Sequence, residues 1–166
     1  MKERKTMNEI SYKPIGIIHS PFRDIKGMPI QPTGAIGVAG TIEIIPDFIE
    51  GLKDIEGFSH IILIYHFHLS KGYELSVKPF IDDKLHGVFA TRAPRRPNPI
   101  GISVVKLIRV EGNLLHIENV DIIDGTPLLD IKPYISEVDV HEAEKTGWLS
   151  GKAEKMHNVK ADERFR

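Results

Sequence analysis

Residues 31–45 read QPTGAIGVAGTIEII, and the run after the glycines settles the class of fold. Glycines at positions 34, 37 and 40 suggest a nucleotide-binding loop. Such a loop follows a strand and opens a helix, whose first N–H groups hold the phosphates. Here the glycines lead into Thr41, Ile42, Glu43, Ile44 and Ile45, a β-branched run of strand character. The stretch therefore reads as a flexible loop entering a strand. It does not carry a Rossmann fingerprint.

Strand patterning recurs on both sides of it. Residues 14–19 (PIGIIH), 40–45 (GTIEII), 60–68 (HIILIYHFH), 87–91, 101–110 and 114–124 are rich in Ile and Val and bounded by Gly, Pro, Asn or Asp. Helical spacing before residue 140 is confined to residues 46–58 (PDFIEGLKDIEGF), where Phe48, Ile49, Leu52 and Ile55 recur. At least six strands without alternating crossover helices predict a mainly β protein. The expected form is a small antiparallel β-barrel with a short helix and a polar C-terminal tail, since closure removes exposed edges.

A chain of 166 residues, 41% hydrophobic, fits one compact domain. The expected layout is an N-terminal arm over 1–10, the barrel domain over 11–139 and a tail or helix over 140–166. The absence of cysteine excludes disulfides, thiolate zinc sites and a cysteine nucleophile, and suits a reducing cytosol. The start, MKERKTMNEISYKP, lacks a signal-peptide core, and no run approaches the ~20 apolar residues of a membrane span. A soluble cytoplasmic protein without membrane contact is expected. A net charge of −1 argues against non-specific coating of nucleic acid, so any RNA contact must come from a local patch.

One such patch is the connection Arg92, Pro94, Arg95, Arg96, Pro97, Asn98 and Pro99, which puts three prolines and three guanidinium groups between two apparent strands. Proline fixes φ and restrains its predecessor, so the loop loses most of its freedom before folding. Its plain reading is a rigid turn with a solvated tip. Its functional reading is a preorganised set of planar donors for carboxylate or phosphate. A second stretch is DGTPLLDIKPY, residues 124–134. Turn chemistry accounts for Asp124 and Gly125, while Asp130, Lys132 and Tyr134 share one side of an extended segment, as a cross-strand ion pair would. His60, His66 and His68 share strand parity, but no further ligand cluster accompanies them, and no metal site is assigned.

Taken together, KPIGIIHSPF, the Gln31-Pro32 pair, FSHIILIYHFH, GVFATRAPRRPNPIG and DGTPLLDIKPY resemble, in order over residues 10–134, the TsaA-like, TrmO-type family of tRNA methyltransferases. The resemblance implies a small β-barrel that binds S-adenosylmethionine without a Rossmann sheet and works as a homodimer. It further implies methylation of the exocyclic nitrogen of threonylcarbamoyl-adenosine beside the anticodon of threonine tRNA. By motif, the cofactor pocket would comprise Gln31, Pro32 and Thr33, then Phe67 and His68, then Arg92, then Thr126, Pro127, Leu128 and Leu129. Relatives carry Pro-Gly where this chain has Pro32-Thr33. Bacterial members also extend past the DIKPY motif with another domain, so the tail here is expected to meet tRNA differently or contribute less.

On this reading Arg92 meets the methionyl carboxylate, while Arg95 and Arg96 face outward to RNA phosphates. Methyl transfer is an in-line displacement, so the protein must align the partners and exclude water. Removing a proton from the acceptor nitrogen would help. Asp124 and Asp130 are the favoured candidates, with His68 and Tyr134 beside them. A non-enzymatic S-adenosylmethionine-binding module and a small-molecule methyltransferase are the alternatives.

Overall fold

The structure, a computed structural model, describes residues 8–165; positions 1–7 of the expected N-terminal arm lie outside the described residues. Six strands close an antiparallel barrel in the order β1 (Gly16–His19), β2 (Ala39–Ile44), β7 (Leu114–Glu118), β6 (Ile100–Glu111), β3 (His60–His66) and β8 (Thr126–Pro133). A two-stranded ribbon of β4 (Ser76–Val77) and β5 (His86–Gly87) sits in the long excursion between β3 and β6. The mainly β barrel expected from the strand patterning is the fold adopted.

Period-two alternation explains the closure. In β3, Ile61, Leu63 and Tyr65 point inward, and they meet Ile18, Ile42, Ile44, Val105, Leu115, Ile117 and Leu128 in one apolar core. Gly40 belongs to this packing too, because a Cβ there would lie 2.7 Å from the His19 carbonyl oxygen and 2.9 Å from Val120. Gly37 has a φ of 78°, which suits glycine, and turns the chain into β2. The glycine spacing that suggests a nucleotide loop thus serves a turn and a close strand approach.

Several elements differ from the sequence expectation. Residues 46–58 form two 3-10 stretches, Pro46–Leu52 and Ile55–Gly57, separated where Asp54 takes a φ of 68°. The tighter winding sends Leu52 and Ile55 onto the barrel but leaves Phe48 and Ile49 exposed. The expected strand over 87–91 is mostly the 3-10 turn Val88–Ala90. The strand beginning at Leu114 stops at Glu118, because Asn119 adopts a φ of 67° and its side-chain oxygen accepts the Gly37 N–H at 2.9 Å. The extended segment after Gly125 is a full barrel strand, β8, hydrogen-bonded to both β1 and β3.

Beyond the short α1 (Ser136–Asp139), the chain runs through the 3-10 turns Gly147–Leu149 and Ala153–His157. Phe165 ends buried in a second apolar cluster with Val77, Val88 and Ala93, edge-on to Phe80. Among the described residues no helix is long and apolar enough to cross a membrane.

Candidate active site

A cleft of about 780 Å³ opens between the barrel rim and the excursion that joins β3 to β6. The end of β3 delivers Tyr65, Phe67 and His68 to it, and the start of β6 delivers Ile100, Gly101 and Ile102. The stretch between β7 and β8 adds Asp121 and Ile122, and the start of β8 adds Thr126. Gly101 pairs with Tyr65 across the β3–β6 ladder, and a Cβ there would drive into the Tyr65 ring. A register shift at Ile64/Tyr65 in the β3–β8 pairing marks a bulge at this same end, a common device for re-aiming side chains beside a site.

At the floor of the cleft, Ser103 Oγ donates to Asp121 Oδ1 at 2.7 Å and lies 3.0 Å from Tyr65 Oη. A serine hydroxyl has one proton to give, so Tyr65 is the donor to Ser103. Burial pushes the Asp121 carboxyl up to about 6, against the opposing pulls of the Ser103 hydrogen bond and the Arg92 charge. Burial likewise raises the Tyr65 hydroxyl far above its ordinary value, so it stays protonated. Val120 and Ile122 are buried on either side of Asp121, and alternation turns the carboxylate away from the core into the cleft.

Arg92 stands exposed at the rim, where Nη1 donates to Gln31 Oε1 at 2.8 Å. His68 has turned out of the strand beyond β3, with Nδ1 3.4 Å from Thr126 Oγ1. The Thr126 hydroxyl donates to the Ile123 carbonyl at 2.7 Å, so His68 Nδ1 must carry the proton in this contact. Burial, with His66 nearby, lowers the His68 imidazole from its ordinary value and favours the neutral ring. The strand parity that groups His68 with His60 and His66 therefore breaks at Phe67.

Of the residues expected in the pocket, Gln31, Phe67, His68, Arg92 and Thr126 line the cleft together. Pro32 and Thr33 form the adjoining 3-10 turn Pro32–Gly34 and do not line it. Pro127 and Leu129 are on β8 outside the lining, and Leu128 is wholly buried in the barrel core, with its carbonyl taken by the Ile15 N–H at 2.8 Å. Asp124 and Asp130, the favoured acids, are elsewhere. Asp124 accepts the Ser20 N–H at 3.1 Å and pairs with Arg23 and His19, which holds it below the usual carboxylate range. Asp130 pairs with Lys132 at 2.9 Å along β8 itself, an ion pair within one strand and not the cross-strand pair that the sequence suggests.

Neither further loop arginine points freely outward. Arg96 turns back on its own loop, donating to the Thr91 and Ala93 carbonyls at 3.1 and 3.3 Å, and it lines the cleft. Arg95 pairs with Glu74 at 3.2 Å. With three prolines nearby, the loop's carbonyls have few amide donors, and the guanidinium of Arg96 replaces them. Sequence reasoning misses Asp121, Ser103 and Tyr65. The one sequence signal for Asp121 is its place between Val120 and Ile122, and with Glu118 and Asp124 close by it does not single that carboxylate out.

Comparison with known proteins supports the same architecture. A probable S-adenosyl-L-methionine-binding protein of Pyrococcus abyssi is 59% identical over 94% of this chain and 85% of its own length. A mouse tRNA (adenine(37)-N6)-methyltransferase is 38% identical over 76% of this chain, which spans 31% of the mouse protein. The crystal structure of TrmO from Pseudomonas aeruginosa superposes with a TM-score of 0.71 at 38% identity, covering 85% of this chain and 63% of that one. Residues 17–140, the barrel together with the excursion across the cleft from it, match the family model for the tRNA-methyltransferase O N-terminal domain, and the chain belongs to that family.

Proposed function

We propose that the protein is an S-adenosylmethionine-dependent tRNA methyltransferase acting on the exocyclic nitrogen of adenine, with threonylcarbamoyl-adenosine beside the anticodon as its substrate. The observation that carries this reading is the cleft itself, which opposes a rim cation, Arg92, to a half-buried carboxylate of raised pKa, Asp121. The donor set fits the cofactor. Arg92, oriented by Gln31, suits a methionyl carboxylate, Phe67 and Ile122 offer apolar walls, and the ionised Asp121 complements a cationic centre. When bound, the cofactor supplies an electrophilic methyl carbon on a sulfonium.

The rest is done by the chain's own groups. An amide-like exocyclic nitrogen is a poor nucleophile while it keeps its proton. Asp121, with its pKa raised to about 6, is a stronger base than an ordinary carboxylate and is still ionised near neutral pH. Ser103 and Tyr65 hold its rotamer through a chain of two hydrogen bonds, so the accepting oxygen does not wander. His68, kept neutral, orients without adding a competing cation. Arg92 and Arg96 put two positive charges on the lining of the cleft, which favours phosphate there. The reading also includes a homodimer and a cytoplasmic setting, where tRNA is found.

Mass spectrometry of nucleosides from bulk tRNA incubated with the protein and S-adenosylmethionine is the test. The expected product is threonylcarbamoyl-adenosine one methyl heavier. A methyl on unmodified adenosine instead would overturn the substrate, and cofactor binding without any tRNA product would favour a binding module.

A further inference from the structure

The cleft has a wall that the family match does not include. Residues 17–140 match, yet Trp148, Leu149, Met156, Ala161 and Phe165 of the C-terminal segment line the same cleft as Arg92 and Asp121. Trp148 is the chain's single tryptophan. Its indole stacks on the His86 imidazole with ring centroids 4.3 Å apart and an interplanar angle of 21°. Its Nε1–H donates to the Ala90 carbonyl at 2.8 Å. Ala90 ends the 3-10 turn Val88–Ala90, two residues before Arg92.

The mounting of this ring is itself secured. Lys152, four residues on, gives a 2.8 Å ion pair to Asp82, and Asp82 also takes His86 Nε2 at 2.9 Å. Asp82 is largely buried, with 11% of its side chain exposed, so this junction ties the C-terminal segment to the ribbon and the imidazole beneath the indole. A core tryptophan would be enclosed; Trp148 is partly exposed and faces a cleft that also presents Phe89, three-quarters exposed. Fixed aromatic faces beside cationic loops are how proteins hold a base out of its stack, since every base offers a π-face.

We infer that Trp148 is the stacking platform for the acceptor base of the RNA substrate, a substrate-binding residue supplied by the C-terminal segment rather than by the barrel. This rests on the tRNA-methyltransferase reading above. The ring's N–H is spent on Ala90, so it offers a face and no base-edge donor. Selection of adenine would then fall to the carboxylate at the cleft floor.

A lone tryptophan makes the test direct. Indole fluorescence should be quenched by titration with bulk tRNA and be little changed by S-adenosylmethionine alone. Trp148→Ala should raise the KM for tRNA at least about tenfold, in line with one lost base–aromatic stack, with cofactor affinity by calorimetry retained. Trp148→Phe should restore most of that loss. Quenching by S-adenosylmethionine with none added by tRNA would assign the ring to the cofactor and overturn the inference. Unquenched fluorescence in a wild-type protein that methylates tRNA would overturn it while leaving the activity standing. Quenching by tRNA without any methyl transfer would support the platform and remove the enzymatic reading, and loss of both would remove both.

Discussion

Asp121 and Arg92 divide the site's chemistry, and each can be tested alone. The fold raises the Asp121 pKa to about 6, so folding favours its protonated form. Its contribution to stability is complete below the ordinary carboxylate value near 4 and is lost as pH rises through about 6. Asp121→Asn keeps an acceptor for Ser103 and never ionises. It is expected to melt no lower than the wild type at pH 8, while methyl transfer falls by roughly 10²- to 10⁴-fold, the usual worth of a positioned base. Wild-type kcat should climb with pH through an inflection near 6, and a flat profile from pH 5 to 7.5 would remove the carboxylate from proton transfer. Arg92→Ala should weaken S-adenosylmethionine binding by about 1.5 to 3 kcal/mol, the range for a hydrogen bond to a charged group, without altering the melting temperature, because Arg92 is exposed and bonds only Gln31 among the hydrogen bonds described. Calorimetry with unchanged affinity would take Arg92 out of the pocket. Arg92 and Gln31 are legible in the sequence through the family motifs that carry them, GVFATRAPRRPNPIG and the Gln31-Pro32 pair. Asp121 is not, since in ENVDIID three acids compete, and only the fold shows that Glu118 pairs with Lys106 and Asp124 with Arg23 while Asp121 lines the cleft.

Among the elements, the β3–β6 pair connects the barrel to the chemistry through Gly101. Tyr65 lies across the ladder from Gly101, and the hydroxyl of Tyr65 continues to Ser103 and Asp121. Gly101→Ala would push the Tyr65 ring off its position and crowd Phe67, with a cost typical of overpacking, about 1 to 3 kcal/mol. Methylation should fall by more than that loss of stability accounts for, because the rotamer of Asp121 depends on the displaced ring. Denaturant midpoints and kcat measured side by side check this, and an alanine variant with wild-type values of both would show that the ring has room to move. The strands are readable as Ile- and Val-rich runs bounded by turn residues, although Ile62 and Ile64 are apolar too, so that the inward set Ile61, Leu63 and Tyr65 is visible only in the barrel. The 3-10 stretches are not. Over residues 46–58 the period of apolar residues fits an α-helix, yet Lys53 and Asp54 break the winding, and burial of Leu52 and Ile55 on the barrel outweighs the preference for one continuous face. The tail is harder still, since Trp148 and Phe165 find their partners in Ala90, His86 and Phe80, far back in the chain.

For the whole molecule, the arithmetic of charge and apolar surface points beyond one chain. The barrel interior is filled by its own side chains, so ligands are held at the rim, beside the excursion that joins β3 to β6. That excursion leaves Tyr73, Leu75, Leu85 and Phe89 more than half exposed, at 61, 63, 68 and 75%. Phe89 lines the cleft, and the other three are candidates for an interaction surface if they adjoin one another. With a net charge of −1 and one short arginine loop, a single chain also offers RNA a small basic footprint, which a two-fold axis would double. A homodimer at micromolar concentration is therefore expected by light scattering, with the ribbon β4–β5 at or near the contact. Leu75 and Leu85 do not line the cleft, so the Leu75→Glu, Leu85→Glu double variant should separate the chains without touching the pocket. It should keep its cofactor affinity and lose most of its affinity for tRNA, with a shallower dependence on salt as phosphate contacts from the second chain disappear. Mixing an Asp121→Asn chain with an Arg95→Ala, Arg96→Ala chain would then recover activity in mixed dimers if one chain's loop holds RNA for the other's carboxylate. A wild-type monomer that methylates tRNA at full rate would refute the assembly and require one cleft, one loop and the C-terminal segment to hold the RNA unaided.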